Sequence, residues 1–393
     1  MDNRDETFIW SDGWWIEGSN AWFVCGMSNV LFCIDLNTGS CEDIAYIPDP
    51  DDNTYRQTPF CLKYDRDIFC IPGFGQNIWI YNLDNKQFVS ISIDKPERLQ
   101  LTSQFWIWGD SVLIVPANWN KIIEVSISKK TIKNYYTVCM EDTIKKAVLT
   151  GDNIYMVSSS SSRIYQFDIV TKKTRMHILP CAEKKLATIC FDGKKFWMGG
   201  YQKEVYIWEK ESNKFMTIDN FPIDFSLKDI MGNIDSDRTK RPVFKYSIVV
   251  GEYIWFIPTQ ADKIIYADKE NATLFSFEIC DEEETEESIF LNQLWTIANY
   301  LLEYVRDNRY IGLFSAKSGR ILEIDARNLS YQWKDCYLKD KYFFQCGNIY
   351  RQMYYEGVDD DLYGVACRIG IKKTNNLHSD SIGTQIHKKT TEG

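Results

Sequence analysis

Ile164-Tyr-Gln-Phe-Asp168 is one of seven five-residue segments that superimpose without gaps. The others are Leu31-Phe-Cys-Ile-Asp35, Ile78-Trp-Ile-Tyr-Asn82, Ile122-Ile-Glu-Val-Ser126, Val205-Tyr-Ile-Trp-Glu209, Ile264-Ile-Tyr-Ala-Asp268 and Ile321-Leu-Glu-Ile-Asp325. Each is a short apolar run closed by a polar residue, the pattern of a buried strand that ends in a turn. A segment rich in Asn, Asp, Ser, Thr, Gly and Lys follows, such as Asn37-Thr-Gly39 or Asp84-Asn-Lys86, and then another short strand, such as Phe88-Val-Ser-Ile-Ser92. Ahead of each motif lies a second hairpin whose turn carries Gly or Asp, as in Ile189-Cys-Phe-Asp-Gly-Lys-Lys-Phe-Trp-Met198. Every unit therefore reads as four antiparallel strands in chain order.

The closing polar residues are 47, 44, 42, 41, 59 and 57 positions apart. Four of these intervals fit one propeller blade, and the other two carry insertions. A weaker eighth copy follows, in which Gly347-Asn-Ile-Tyr350 echoes Gly151-Asp-Asn-Ile-Tyr155 and Leu362-Tyr-Gly-Val-Ala366 supplies a third strand. The expectation is an all-β fold over residues 1–370, a single β-propeller of eight four-stranded blades, followed by a polar, flexible tail over 371–393. The eighth copy lacks a fourth strand. Thr7-Phe-Ile-Trp10 is expected to supply it, closing the ring and covering exposed sheet edges. Seven blades plus a C-terminal capping hairpin is the alternative.

In the outer hairpin an aromatic residue is followed seven positions later by another, in Tyr81 and Phe88 and in Trp208 and Phe215, and more loosely in Ile34 and Cys41 and in Ile324 and Tyr331. This spacing resembles kelch-type repeats, whose double glycine appears here only as Gly199-Gly200. The resemblance covers roughly residues 10 to 370. It implies a protein-binding platform, although some relatives are enzymes, so function must be argued from a site.

Composition narrows the classes. A net charge of −10 opposes binding to nucleic acid or an anionic membrane. No window nears the run of about 18 apolar residues that spans a bilayer, and the acidic start Met1-Asp-Asn-Arg-Asp-Glu lacks the form of a secretory signal. Twelve cysteines are scattered without any C-x-x-C, the usage of reduced core thiols in a cytoplasmic protein.

Signals of chemistry are sparse. Of three histidines, His378 and His387 fall in the tail, leaving His177 in a fourth strand, so a histidine-centred triad or metal site is not expected. No P-loop, nucleophile elbow or dinucleotide fingerprint occurs, and no metal or cofactor is expected. Asp281-Glu-Glu-Glu-Thr-Glu-Glu287 lacks the alternation of a calcium loop and reads as the solvated start of a helix bearing Ile289, Phe290, Leu294, Ile297 and Leu301. The other insertion, 220–242, is polar and mixed in charge and reads as a surface loop.

One position repeats on the face propellers generally use for ligands, just ahead of the third strand. It holds Asn77, Lys121, Arg163, Glu204, Lys263 and Arg320, with Asn29 one step earlier in its unit. Further basic residues, among them Lys145, Lys146, Lys184 and Lys185, precede first strands. Long polar side chains shielding sheet edges account for the pattern. The sharper alternative is a ring of charge in which Lys121, Arg163, Lys263 and Arg320 hold an anion. Trp119, in the loop Pro116-Ala-Asn-Trp-Asn120, suits stacking on a sugar or anchoring a partner if exposed, and core filling if folded inward. The leading functional expectation is a non-catalytic scaffold that binds a protein or peptide. A binder of an acidic glycan or other small anion, or an enzyme using carboxylates, Arg and Tyr at the channel mouth, are the alternatives.

Overall fold

The computed structural model describes residues 11–335 except 12, 26–28, 49–59, 97–101, 118, 139–141, 181–183, 228–241, 260, 281–299, 316–317 and 319. Among the described residues there are seven antiparallel sheets of four strands, each in chain order, over 15–46, 60–92, 102–137, 144–178, 186–218, 244–277 and 300–334, here blades 1 to 7. The seven repeated segments all lie in third strands, from Val30–Asp35 in blade 1 to Ile321–Asp325 in blade 7.

These strands read so clearly because neighbouring blades cover them on both faces. In Arg163–Asp168, Ile164 packs toward blade 5 while Tyr165 and Phe167 pack toward blade 3. Two covered faces favour a continuous apolar run, whereas the fourth strands at the rim are largely exposed, as in Thr131–Thr137. The closing polar residue has a separate cause. Its side chain caps the following turn: Asp168 Oδ1 accepts the N–H groups of Val170 and Thr171 at 3.0 and 2.7 Å, and Asp35, Asn82, Asp268 and Asp325 act similarly. Four positions after each closing residue the chain turns left-handed, at Gly39, Lys86, Lys130, Lys172, Asn213, Ala272 and Leu329, with φ between 51° and 74°. The turn then returns the chain so that residues seven apart face each other. Tyr81 pairs with Phe88, Trp208 with Phe215, Ile34 with Cys41 and Ile324 with Tyr331.

Alternate residues of each second strand face opposite neighbours. In blade 1, Trp22 and Val24 pack on Cys61, Ile68 and Tyr81 of blade 2, while Phe23 faces away from them. Apolar clusters of this kind join blades 1 to 7 in succession. The seventh cluster decides the blade number. It joins Trp14, just ahead of blade 1, and Phe23 and Phe32 of blade 1 to Leu301, Tyr304, Phe314 and Ile321 of blade 7, with Trp14 stacked on Phe23 at 4.6 Å and 6.0 Å from Tyr304. At roughly 1.5–3 kcal/mol for each large side chain removed from water, this seam contributes on the order of 10 kcal/mol before chain entropy is subtracted.

The expectation of eight blades is therefore corrected to seven, because blade 7 already fills the place beside blade 1 that an eighth would need. Both the eighth copy and Thr7–Trp10 lie outside the described residues, as does the capping hairpin. The first strand of blade 1 is Trp15–Glu17, from the same chain segment as the rest of its sheet. First strands of blades 3 to 6 lie against one another in succession, as do those of blades 7, 1 and 2, so first strands surround the axis.

Both insertions also differ from expectation where they are described. Leu301, assigned from its spacing to a helix, belongs to the strand Tyr300–Arg306, where Leu301 packs toward blade 1 and Leu302 toward blade 6. Two covered faces produce adjacent leucines that a helical period also accommodates. The start of the 220–242 segment is anchored rather than polar surface: Phe221 and Phe225 stack at 4.8 Å and pack on Phe244, with Lys203 Nζ over both rings and donating to the Phe225 carbonyl at 3.0 Å.

Candidate functional site

Third strands begin, and second strands end, on the face that also carries the connectors between blades. The repeated charged position sits there, and the structure gives each charge a partner. Arg163 Nη1 lies 3.4 Å from Asp142, whose carboxylate also accepts hydrogen bonds from Ser160, Ser161 and Tyr165 at 3.1, 2.9 and 2.6 Å. Burial works against the Asp142 carboxylate, but the bonds from Tyr165, Ser161 and Ser160 and the charge of Arg163 outweigh it and hold the group below the usual carboxylate range. Lys263 binds both Asp224 and Glu278, the latter at 2.7 Å; its hydrogen bond, with one from Ser276, holds Asp224 down at about 2. Arg320 Nε donates to Asp335 at 2.7 Å, and the guanidinium lies 5.6 Å from the Trp333 ring centroid.

Blade 5 reverses the signs. Glu204 occupies the third-strand position, and Lys184 from the preceding connector meets it at 2.9 Å. Blades 4 and 5 thus place the same ion pair at corresponding points with opposite polarity. Such an exchange preserves a tie between connector and third strand, and does not preserve a ring of one charge.

Lys121 differs from these. Its Nζ lies 5.3 Å from the Trp119 ring centroid and 5.8 Å from that of Tyr135, and the two rings meet edge to face at 5.7 Å. Trp119 is half-buried against the cluster between blades 2 and 3. Tyr135 comes from the fourth strand, and its hydroxyl accepts the Asp94 N–H at 3.1 Å, fastening blade 3 to the end of blade 2. The structure therefore joins Trp119 and Lys121 and adds Tyr135. Arg163, Lys263 and Arg320 stand on blades 4, 6 and 7, each tied to a carboxylate. Sequence reasoning missed Tyr135 and the partner acids. The opposed pairs Asp142 with Arg163 and Lys184 with Glu204, at nearly equal spacing, are the signal that could have exposed the latter.

His177 has no part in this face. It hydrogen-bonds Gln166 at 2.9 Å and packs 5.0 Å from Trp208. Burial, then Lys210 and Arg175, lower its pKa. Among the described residues no three His, Cys, Asp or Glu side chains are grouped as a metal site, and no helix is long and apolar enough to cross a membrane.

No protein-family model matches the sequence, and no curated protein matches it. Solved structures do. The chain is similar to virginiamycin B lyase from Staphylococcus aureus, at 12% identity and a TM-score of 0.57 over 80% of this chain and 94% of that one. It is also similar to BamB from Moraxella catarrhalis, at 12% identity and a TM-score of 0.50 over 82% and 84% of the two chains. The WD40 domain of Neurospora crassa Pan2 matches at 9% identity and a TM-score of 0.52, over 80% and 87%. At these identities the likeness is one of fold, and the chain is a β-propeller.

Proposed function

We propose that this propeller is a non-catalytic binding module, kelch-like in its outer hairpins, that presents the connector face to a protein or peptide partner in the cytoplasm. The fold does not choose this role, since one similar structure is a lyase. The observation that carries the reading is the Trp119, Lys121 and Tyr135 cluster, set in a rim where Arg163, Lys263 and Arg320 are charge-compensated. Tryptophan and tyrosine dominate binding hot spots, and a rim held by its own ion pairs loses little freedom on docking. The facing residues at seven-position spacing support the kelch-like reading. Thiols at Cys33, Cys41, Cys61, Cys70, Cys190 and Cys280 support a reducing compartment.

The test is affinity capture from the native host with quantitative mass spectrometry, comparing the native chain with Trp119→Ala and Tyr135→Ala. A specific partner whose recovery falls at least tenfold with either variant is the expected result. Equal recovery with all three proteins refutes the assignment of this face.

A further inference from the structure

Blades 3 to 7 carry a charged residue at the entry to the third strand, and in four of them the chain answers that charge itself. Arg163 meets Asp142, Glu204 meets Lys184, Lys263 meets Asp224 and Glu278, and Arg320 meets Asp335. Blade 3 departs from this. Among the described residues the Lys121 ammonium makes no ion pair and no hydrogen bond, and its contacts are the Trp119 and Tyr135 rings. Asp94 reaches the same place through its N–H, which donates to the Tyr135 hydroxyl, and its carboxylate makes no ion pair with Lys121. The difference has a local cause at the end of the fourth strand. Glu278 and Asp335 stand one place beyond the register pairs Ile264–Phe277 and Ile321–Lys334, opposite Lys263 and Arg320. In blade 3 the residue opposite Lys121 is Thr137, which is exposed and brings no charge. Directly opposed residues of an antiparallel pair share one face, so an acid at Thr137 would lie beside the ammonium.

We propose that the partner supplies this acid: an acidic peptide segment sets one Asp or Glu carboxylate on the Lys121 ammonium, beside Thr137, where blades 6 and 7 carry Glu278 and Asp335. The inference rests on the reading of this face as a partner surface, and adds the chemistry that the partner brings. Trp119 and Tyr135 hold the lysine in place, so little side-chain freedom is lost on docking, and they keep water from one side of the charge pair. Trp119 is already packed on the cluster between blades 2 and 3 and contacted by Lys121, which favours a carboxylate on the ammonium over a sugar stacked on the ring. The net charge of −10 repels acidic segments at long range, so the contact confers specificity rather than rapid encounter.

The test is selection of a displayed random peptide library on the full chain, followed by titration of the selected peptides. A recurring Asp or Glu is expected, and its replacement by the amide should weaken binding at least tenfold, as should Lys121→Gln, while Lys121→Arg retains binding. Thr137→Glu supplies the acid from within and should also weaken binding at least tenfold, whereas Thr137→Gln leaves it unchanged. Peptides without a recurring acid, or with binding unaffected by Lys121→Gln and Thr137→Glu, overturn the proposal. If such peptides still lose binding with Trp119→Ala, the partner surface stands without the charge contact; if they do not, both readings fall. Failure to select any peptide likewise overturns it, and binding of a uronate-bearing glycan in its place reassigns Lys121 to a sugar acid.

Discussion

Replacing Gly312 with alanine should be among the most damaging single-methyl changes in this protein. A Cβ at Gly312 would lie 2.2 Å from Cε1 and Cζ of Tyr304, whose ring crosses the glycine to reach the seam between blades 7 and 1. Moving the ring is costly because its hydroxyl donates to Glu323 Oε2 at 2.6 Å. Glu323 is 2% exposed and is also held by Lys334 at 2.8 Å, Gln332 at 2.8 Å and Arg306 at 3.3 Å. Overpacking a core costs about 1–3 kcal/mol, and a lost bond to a buried charged group about 1–3 kcal/mol more. Gly312→Ala is therefore expected to destabilise by about 2–6 kcal/mol in urea unfolding followed by tryptophan fluorescence. Tyr304→Ala alone should cost about 3–5 kcal/mol. The three atoms nearest the added methyl all belong to that ring, so Gly312→Ala in the Tyr304→Ala background should change stability by less than about 0.5 kcal/mol. A cost below about 1 kcal/mol in the native background, or equal costs in both, would refute the reasoning.

Two further outcomes follow from local structure. Lys86 is exposed with φ of 56°, so Lys86→Gly should raise stability by about 1 kcal/mol, visible as a higher urea midpoint with an unchanged slope. His177 has its pKa lowered first by burial, so the unfolded chain takes up its proton more readily. Its contribution is present above the unfolded value of about 6.5 and is lost as pH falls from there through the folded pKa. Melting curves should show the native chain losing stability over that range relative to His177→Gln, and parallel curves would contradict the assignment.

How far the sequence reveals this architecture depends on which faces each segment buries. Third strands were legible because both faces are covered and because their last residue must cap a turn, so Ile164–Asp168 and its counterparts share composition and a polar ending. The blade number was not, since it rests on Trp14 meeting Tyr304, residues far apart in the chain whose contact no local pattern encodes. The echo of Gly151–Tyr155 in Gly347–Tyr350 pointed to an eighth unit, while the seam between blades 7 and 1 leaves no place for one in the ring. At the connector face, Lys121 and Trp119 were recognisable as near neighbours in sequence. Tyr135 joins them only through the pairing of third and fourth strands. The ring of cations failed to foretell its own neutralisation because the partner acids come from irregular connectors: the spacing of Asp142 to Arg163 has a counterpart only in Lys184 and Glu204, and that of Asp224 to Lys263 has none.

The seven-blade closure is tested most directly by a double-mutant cycle between Trp14 and Tyr304, using Trp14→Leu, Tyr304→Leu and the pair. Rings 6.0 Å apart should show a coupling of about 0.5–1.5 kcal/mol in equilibrium unfolding. If a further blade separated them, the two substitutions would add with no coupling beyond about 0.3 kcal/mol, and the ring described here would be wrong.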